Sequence, residues 1–218
     1  MNKHLEAADE YAGEFDKEGK ERSWHGPDIL FGLMYEYITP GDLLLDIGIG
    51  TGQVAAIFQK AGLKVYGIDG SKEMLKISRK KQVAIELKQL DLLQDEIPYA
   101  EAFFNHAVAN AVLHITGDIE KSLGEVYRLL KKDGVFGFTT HEQDPEMESD
   151  YKETDTKGKY MKIHEPYGFP VFKHTDLYVK SLLDKYDFDL LKKTKYEAFT
   201  AYEDNPSYIL SLYVTRKR

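Results

Sequence analysis

The sequence predicts an α/β fold, one mostly parallel β-sheet with helices on both faces. Three observations predict it. Short apolar runs alternate with helical periodicities at a regular pitch from Leu43 to Thr140. The first run, Leu43-Leu44-Leu45, breaks straight into Asp46-Ile47-Gly48-Ile49-Gly50-Thr51-Gly52, a buried strand entering a glycine turn. The later runs end on polar residues, Asp69, Asp91, Asn110 and His141, at intervals near one βα unit. Such spacing gathers them along one edge of the sheet, where open α/β folds bind ligands.

Each element has its own signal. Gln53 to Lys60 carries Val54, Ile57 and Phe58 at helical spacing, with Gly62 as its C-cap. Lys64 to Ile68 is a second strand ending in Asp69, and an acid at that point of an open α/β sheet accepts hydrogen bonds from ribose hydroxyls. Val83, Ile85 and Leu87 alternate as a third strand running toward Asp91, with Leu92 and Leu93 behind it. Phe103 to Ala109 is a fourth strand, leading into Asn110 to His114, and Gly134 to Thr140 is a fifth, ending at His141. Asp118 caps a helix with Ile119, Leu123, Val126 and Leu130 on one face, closed by Lys131-Lys132 and Gly134. Thr175 caps another, with Tyr178, Val179, Leu182, Leu183 and Tyr186 as its stripe. Two final strands, Phe188 to Thr200 and Tyr208 to Val214, flank the turn Glu203-Asp204-Asn205-Pro206.

The glycine spacing discriminates between ligands. The dinucleotide fingerprint is G-x-G-x-x-G; here the third glycine arrives one residue early and position 53 is Gln. Asp46 disfavours a pyrophosphate and favours a ligand bearing an ammonium and a sulfonium. On D-x-G-x-G-x-G and the strand-end residues, the chain resembles the class I S-adenosylmethionine-dependent methyltransferases of small-molecule type, well over about residues 40 to 141 and weakly elsewhere. That resemblance implies a Rossmann-like, seven-stranded, mostly parallel sheet ending in a C-terminal antiparallel hairpin. It implies one domain over residues 1–218, with N-terminal cap helices over about 1–38 and a substrate lid over about 142–173.

The resemblance also assigns residues. S-adenosylmethionine, leaving as S-adenosylhomocysteine, is expected on Asp46, Gly48, Gly50 and Gly52, with Asp69 and Gly70 at the ribose. Asp91 and Leu92 would take the adenine, Asn110 the methionine end, and Tyr11 and Trp24 would close over the cofactor from the N-terminal helices. Asn105-His106 departs from relatives that carry an acid after the aromatic residue. Asn205-Pro206-Ser207-Tyr208 looks like a nucleobase-gripping N-P-P-Y motif, but it precedes the last strand, whereas the motif must follow the fourth.

His114 and His141 are the candidate catalytic residues, at the ends of adjacent strands. If His114 accepts a proton, activity is expected to rise through a pKa of about 6 to 7. No metal is expected: none of the seven histidines forms H-x-x-x-H or H-E-x-x-H. The acceptor is expected to be a small molecule, and residues 142–173 to form its lid, because that connection is too long for an ordinary one and carries Tyr160, His164, Tyr167, Phe169 and Phe172. A net charge of −8 argues against a nucleic-acid partner. The absence of cysteine excludes disulfides and thiolate chemistry, and the lack of a long apolar run argues against a membrane. A soluble cytoplasmic protein is expected, monomeric or homodimeric. Two other readings stay open, a methyltransferase-like binding module without catalysis and a nicotinamide-dependent oxidoreductase, the latter opposed by the glycine spacing.

Overall fold

The computed structural model describes residues 3–144, 149–165, 167–199 and 208–218. Two helices, α1 (Lys3–Glu21) and α2 (Gly26–Met34), precede the sheet. Then follow β1 (Leu43–Ile47), α3 (Gln53–Lys60), β2 (Lys64–Asp69), α4 (Lys72–Lys81), β3 (Glu86–Gln89) and β4 (Phe104–Ala109). The short α5 (Leu113–Thr116), α6 (Ile119–Leu129) and β5 (Leu130–Thr140) come next. An excursion of β6 (Lys152–Glu153), β7 (Lys159–His164) and β8 (Phe169–His174) leads to α7 (Asp176–Lys185), β9 (Phe188–Phe199) and β10 (Tyr208–Lys217).

The main sheet has seven strands in the order β3-β2-β1-β4-β5-β10-β9. Strands β1 to β5 pair in parallel, while β10 runs antiparallel to both β5 and β9. The expected seven-stranded, mostly parallel sheet with a terminal hairpin is therefore present; Thr200 and the turn at Glu203 to Pro206, with the Asn205-Pro206-Ser207 decoy, lie outside the described residues. The chain turns from one half of the sheet to the other between β1 and β4, and the switch point of such a sheet opens a crevice at the carboxyl ends of its strands.

Alternation along the strands builds two cores. Leu45 and Ile47 pack on one face with Leu123 and Val126 of α6 and Val179 and Leu183 of α7. Leu44 faces the other way, among Leu30 of α2, Phe58 of α3 and Leu75 of α4. Side chains satisfy the helix starts: Ser71 Oγ accepts from Met74 N at 3.1 Å, Asp118 Oδ1 from Lys121 N at 2.8 Å and Thr175 Oγ1 from Tyr178 N at 3.2 Å. Each such cap contributes about 1 kcal/mol.

Several boundaries differ from the sequence reading. The third strand begins at Glu86; Val83 is buried ahead of it and Ile85 is 61% exposed, because β3 is an edge strand with one paired side. The helix α6 ends at Leu129 and β5 starts immediately, so Lys131 and Lys132 lie on the strand instead of closing the helix. Lys131 there donates to Asn105 Oδ1 at 2.9 Å, which also accepts from Leu43 N, and the neighbouring His106 meets Asp42 at 3.0 Å; the Asn105-His106 departure is thus a local bond set at the start of β4.

The segment expected as a lid contains a second, three-stranded antiparallel sheet, β6-β7-β8. It is joined to the end of β5 through the backbone: His174 N donates to His141 O at 2.8 Å and Gln143 N to His174 O at 3.0 Å. Residues 145–148 and 166 of that segment lie outside the described residues.

Candidate functional site

The glycine turn between β1 and α3 uses its three glycines differently. All three have positive φ: Gly48 +69°, Gly50 +54° and Gly52 +86°. A Cβ on Gly48 would strike Val112 at 2.6 Å, and one on Gly52 would strike Val83 at 2.4 Å, so both are packing positions. A Cβ on Gly50 would meet no atom nearer than Gly48 O at 4.0 Å, and Gly50 borders a cavity of about 620 Å³. Only there does the missing side chain leave backbone open to a ligand.

Two carboxylates stand at that wall. Asp69 is fixed by the turn itself, its Oδ2 accepting from Gly50 N and its Oδ1 from Ser71 N, both at 2.8 Å. Each oxygen keeps a lone pair for a ligand hydroxyl. Burial raises its pKa, against those backbone donors. Asp46 is 1% exposed and its Oδ2 has no hydrogen-bond partner. Desolvation, with the Asp69 charge adding to it, pushes Asp46 up to about 8. A buried carboxyl in that state binds a cation with release of a proton.

Helix α1 crosses the turn and covers the cavity. Asp16 accepts from Thr51 Oγ1 at 2.7 Å and Gln53 Nε2 at 2.9 Å, and pairs with Lys81 at 2.5 Å. Asp9 accepts from Ser71 Oγ at 2.6 Å and from Glu73 N at 3.1 Å, at the start of α4. Leu5 packs on Gly70, where a Cβ would meet it at 2.4 Å. Tyr11 lines the cavity and donates to Glu18, which also takes Arg22 Nη1 at 3.1 Å. Trp24 lines it as well, its indole lying against Gly26.

The opposite wall is α5 and the second sheet. His114 lines the cavity, 8% exposed, and stacks on His141 with 4.6 Å between ring centroids. Phe172 of β8 packs on Gly117, where a Cβ would meet its ring at 2.2 Å, and so holds the second sheet against α5. From the turn between β7 and β8, His164, Glu165, Tyr167 and Phe169 reach the cavity, and Phe169 meets His4 of α1 edge to face at 6.3 Å. Burial lowers His114 to about 4, with His164 adding to the effect, and lowers His141 well below the ordinary value. The proton-acceptor limb expected near 6 to 7 is displaced downward accordingly.

Tyr11, Trp24, Asp46, Gly48, Gly50, Asp69, Gly70, Leu92, Asn110 and His114 converge on this one cavity. Three expected residues do not line it. Gly52 turns toward Val83 and Ser78. Asp91 spends its carboxylate on Leu93 N at 3.0 Å and Gln94 Nε2 at 3.2 Å, the work of a turn residue. His141 sits behind His114 instead of beside it. The sequence reading missed His4, Leu5, Ala8 and Glu18, although positions 4, 8, 11, 15 and 18 repeat at helical spacing, a legible stripe. It missed Glu165 for want of any local signal. Of the aromatics expected in the lid, Tyr160 and Phe172 are not among the lining residues. Among the described residues no group of three histidine or acidic side chains is arranged to hold a metal ion, and no helix is long and apolar enough to cross a membrane.

Residues 45–138, from the middle of β1 to near the end of β5, match the model of a methyltransferase domain. The malonyl-[acyl-carrier protein] O-methyltransferase of Enterobacter lignolyticus is 31% identical over 116 residues, 52% of this chain and 45% of that protein. The chain spans about half the length of the curated relatives it matches first. Among solved structures, a methyltransferase from Methanosarcina mazei superposes with a TM-score of 0.67 at 18% identity, covering 85% of this chain and 96% of that one. The 1,6-didemethyltoxoflavin-N1-methyltransferase of Burkholderia thailandensis, solved with its substrate and S-adenosylhomocysteine, superposes with a TM-score of 0.66 at 16% identity, covering 100% and 91%. At such identities the superpositions establish the fold.

Proposed function

We propose, for a chain that belongs to the class I S-adenosylmethionine-dependent methyltransferases, that it methylates a small-molecule acceptor inside the cavity between α1, α5 and the β7–β8 turn. The observation that carries this reading is Asp46 Oδ2, a buried carboxylate oxygen without a partner on the wall of a cavity of about 620 Å³. That volume falls in the range of about 300 to 1,000 Å³ typical of small-molecule sites. A buried acid with one unpartnered oxygen beside an open glycine backbone fits a ligand that carries cationic groups near a polar chain.

In this reading Asp46 faces the ammonium and sulfonium end of the cofactor, Asp69 and Gly70 hold the ribose, Leu92 packs on the adenine, and Asn110 meets the methionine end. Tyr11, Phe15 and Trp24 exclude water from above. When bound, S-adenosylmethionine supplies a methyl group already activated by the positive charge on sulfur. What remains for the protein is alignment, and positioning of this kind contributes about 7 to 11 kcal/mol. Val112, His114 and Ile115 of the segment after β4 present the acceptor, and the second sheet serves as the lid that holds it there. His114, neutral at pH 7, accepts a hydrogen bond or a proton from the acceptor.

Calorimetry with S-adenosylmethionine, S-adenosylhomocysteine and a nicotinamide dinucleotide tests the cofactor. Binding of the first two and not the third is expected; binding of the dinucleotide alone overturns the reading. A screen of small acceptors with methyl-labelled cofactor then tests transfer.

A further inference from the structure

Among the described residues, the acceptor half of the cavity has no lysine or arginine on its lining. The titratable side chains that reach it are His4, Tyr11 and Glu18 from α1, His114 from α5, and His164, Glu165 and Tyr167 around the β7–β8 turn. Of the cations close by, Arg22 pairs with Glu18 at 3.1 Å, Lys162 beside His164 pairs with Asp150 at 2.8 Å, and Lys3 Nζ lies beside Gly168, outside the lining residues. The three imidazoles add no charge, since burial lowers the pKa of each, with His114 brought to about 4. Tyr11, Phe15, Tyr167 and Phe169 supply flat apolar surface around these neutral donors and acceptors. A carboxylate entering this space loses its hydration and gains no partner, whereas an uncharged ring buries apolar area and finds an imidazole for its one polar group.

Resting on the methyltransferase reading, we infer that the acceptor is an uncharged aromatic compound presenting a ring hydroxyl or ring N–H beside His114, and that carboxylate-bearing acceptors are rejected. Methylation at such an atom forms one bond to carbon, breaks the carbon–sulfur bond with its electron pair left on sulfur, and releases one proton. An imidazole that is neutral at pH 7 takes up that proton and passes it to water. The inference separates this chain from its malonyl-carrier relatives by the charge of what the site admits.

A matched pair of probes tests it, 2-naphthol and 2-naphthoate, which share a ring and differ in charge at pH 7. S-adenosylhomocysteine is titrated first, and each probe is then titrated into the loaded protein. Naphthol is expected to bind tighter than naphthoate by roughly tenfold or more, because a buried carboxylate without a counter-charge pays its desolvation unreturned. In Glu165→Lys, which supplies the missing cation at the mouth, the gap should narrow severalfold. Failure of S-adenosylhomocysteine to bind overturns the cofactor reading on which the inference rests. Cofactor binding combined with naphthoate equal to or tighter than naphthol, or with neither probe binding, overturns this inference alone.

Discussion

The imidazoles of His114 and His141 lie ring on ring, 4.6 Å between centroids and 9° from parallel. His141 thereby backs one of the three histidines on the cavity wall, and its backbone carbonyl accepts from His174 N of the second sheet. Both sides of the acceptor region, α5 and β8, meet at this pair.

Because burial holds His114 near 4 and His174 near 3, the unfolded chain binds more protons than the folded one as pH falls below the ordinary imidazole value of 6.5. Their contribution to stability is complete above about pH 6.5 and shrinks steadily toward pH 4. Urea titrations at pH 7.5 and 4.5 should show a lower midpoint at the acid pH, and His114→Asn should reduce the difference. In kcat/KM against pH, His114 produces no limb at pH 6 to 7; a limb there that vanishes in His114→Asn would contradict the burial seen here.

Asp46 leads to a proton count. With its pKa raised to about 8, it is mostly protonated in the free protein at pH 7 and loses that proton when a cationic ligand arrives. Binding of S-adenosylmethionine should therefore tighten as pH rises from 6 to 8. Calorimetry in buffers of different ionisation enthalpy should report proton release. Asp46→Asn should remove both effects; an unchanged pH dependence in that variant would place the titrating group elsewhere.

Asp69→Ala deletes an acceptor of two backbone bonds and, in the proposed cofactor site, of the ribose hydroxyls. Charge-assisted bonds are worth about 1.5 to 3 kcal/mol each, so cofactor affinity should fall by roughly tenfold to a thousandfold. Calorimetry on a variant whose circular dichroism is unchanged measures this, and equal affinity defeats the ribose assignment.

Glycine substitutions should separate binding from stability. At Gly52 a methyl group collides with Val83, and overpacking of this kind costs about 1 to 3 kcal/mol, so Gly52→Ala should lower the urea midpoint. At Gly50 no collision occurs; the cost is the left-handed backbone, about 1 to 2 kcal/mol, plus a methyl group in the cavity. Gly50→Ala should consequently lose more cofactor affinity than stability. The reverse ordering of the two variants would put the ligand on the wrong glycine.

Much of the cofactor half was legible because its residues sit at strand ends, and strand ends recur at a pitch that local patterns reveal. Asp46, Asp69 and Asn110 needed only that pitch to be gathered. Asp91 obeyed the same pitch and still went elsewhere, since a carboxylate two residues from a free N–H satisfies the turn first. The cover over the cofactor half and the acceptor half were harder to read. Asp16 reaches Thr51 across 35 residues and Asp9 reaches Ser71 across 62, and no local periodicity encodes such pairings. Glu165, in the turn between two strands of a small sheet, becomes informative only when the neutral imidazoles around it are seen.

Helix α1 is attached in an unusual manner for an element that covers a cavity. Of its nineteen residues only Ala12 and Gly19 are buried, and its long-range ties run mainly through the carboxylates of Asp9 and Asp16. The sheet beneath is held by apolar area, which ionic strength scarcely touches, whereas carboxylate bonds at a partly wet surface weaken with salt and with acid. The chain thus carries two thresholds of order, and the lower one belongs to the doorway. On this footing α1 should detach, as salt rises or pH falls, before the sheet melts, and the site would open to ligand while the core stays intact.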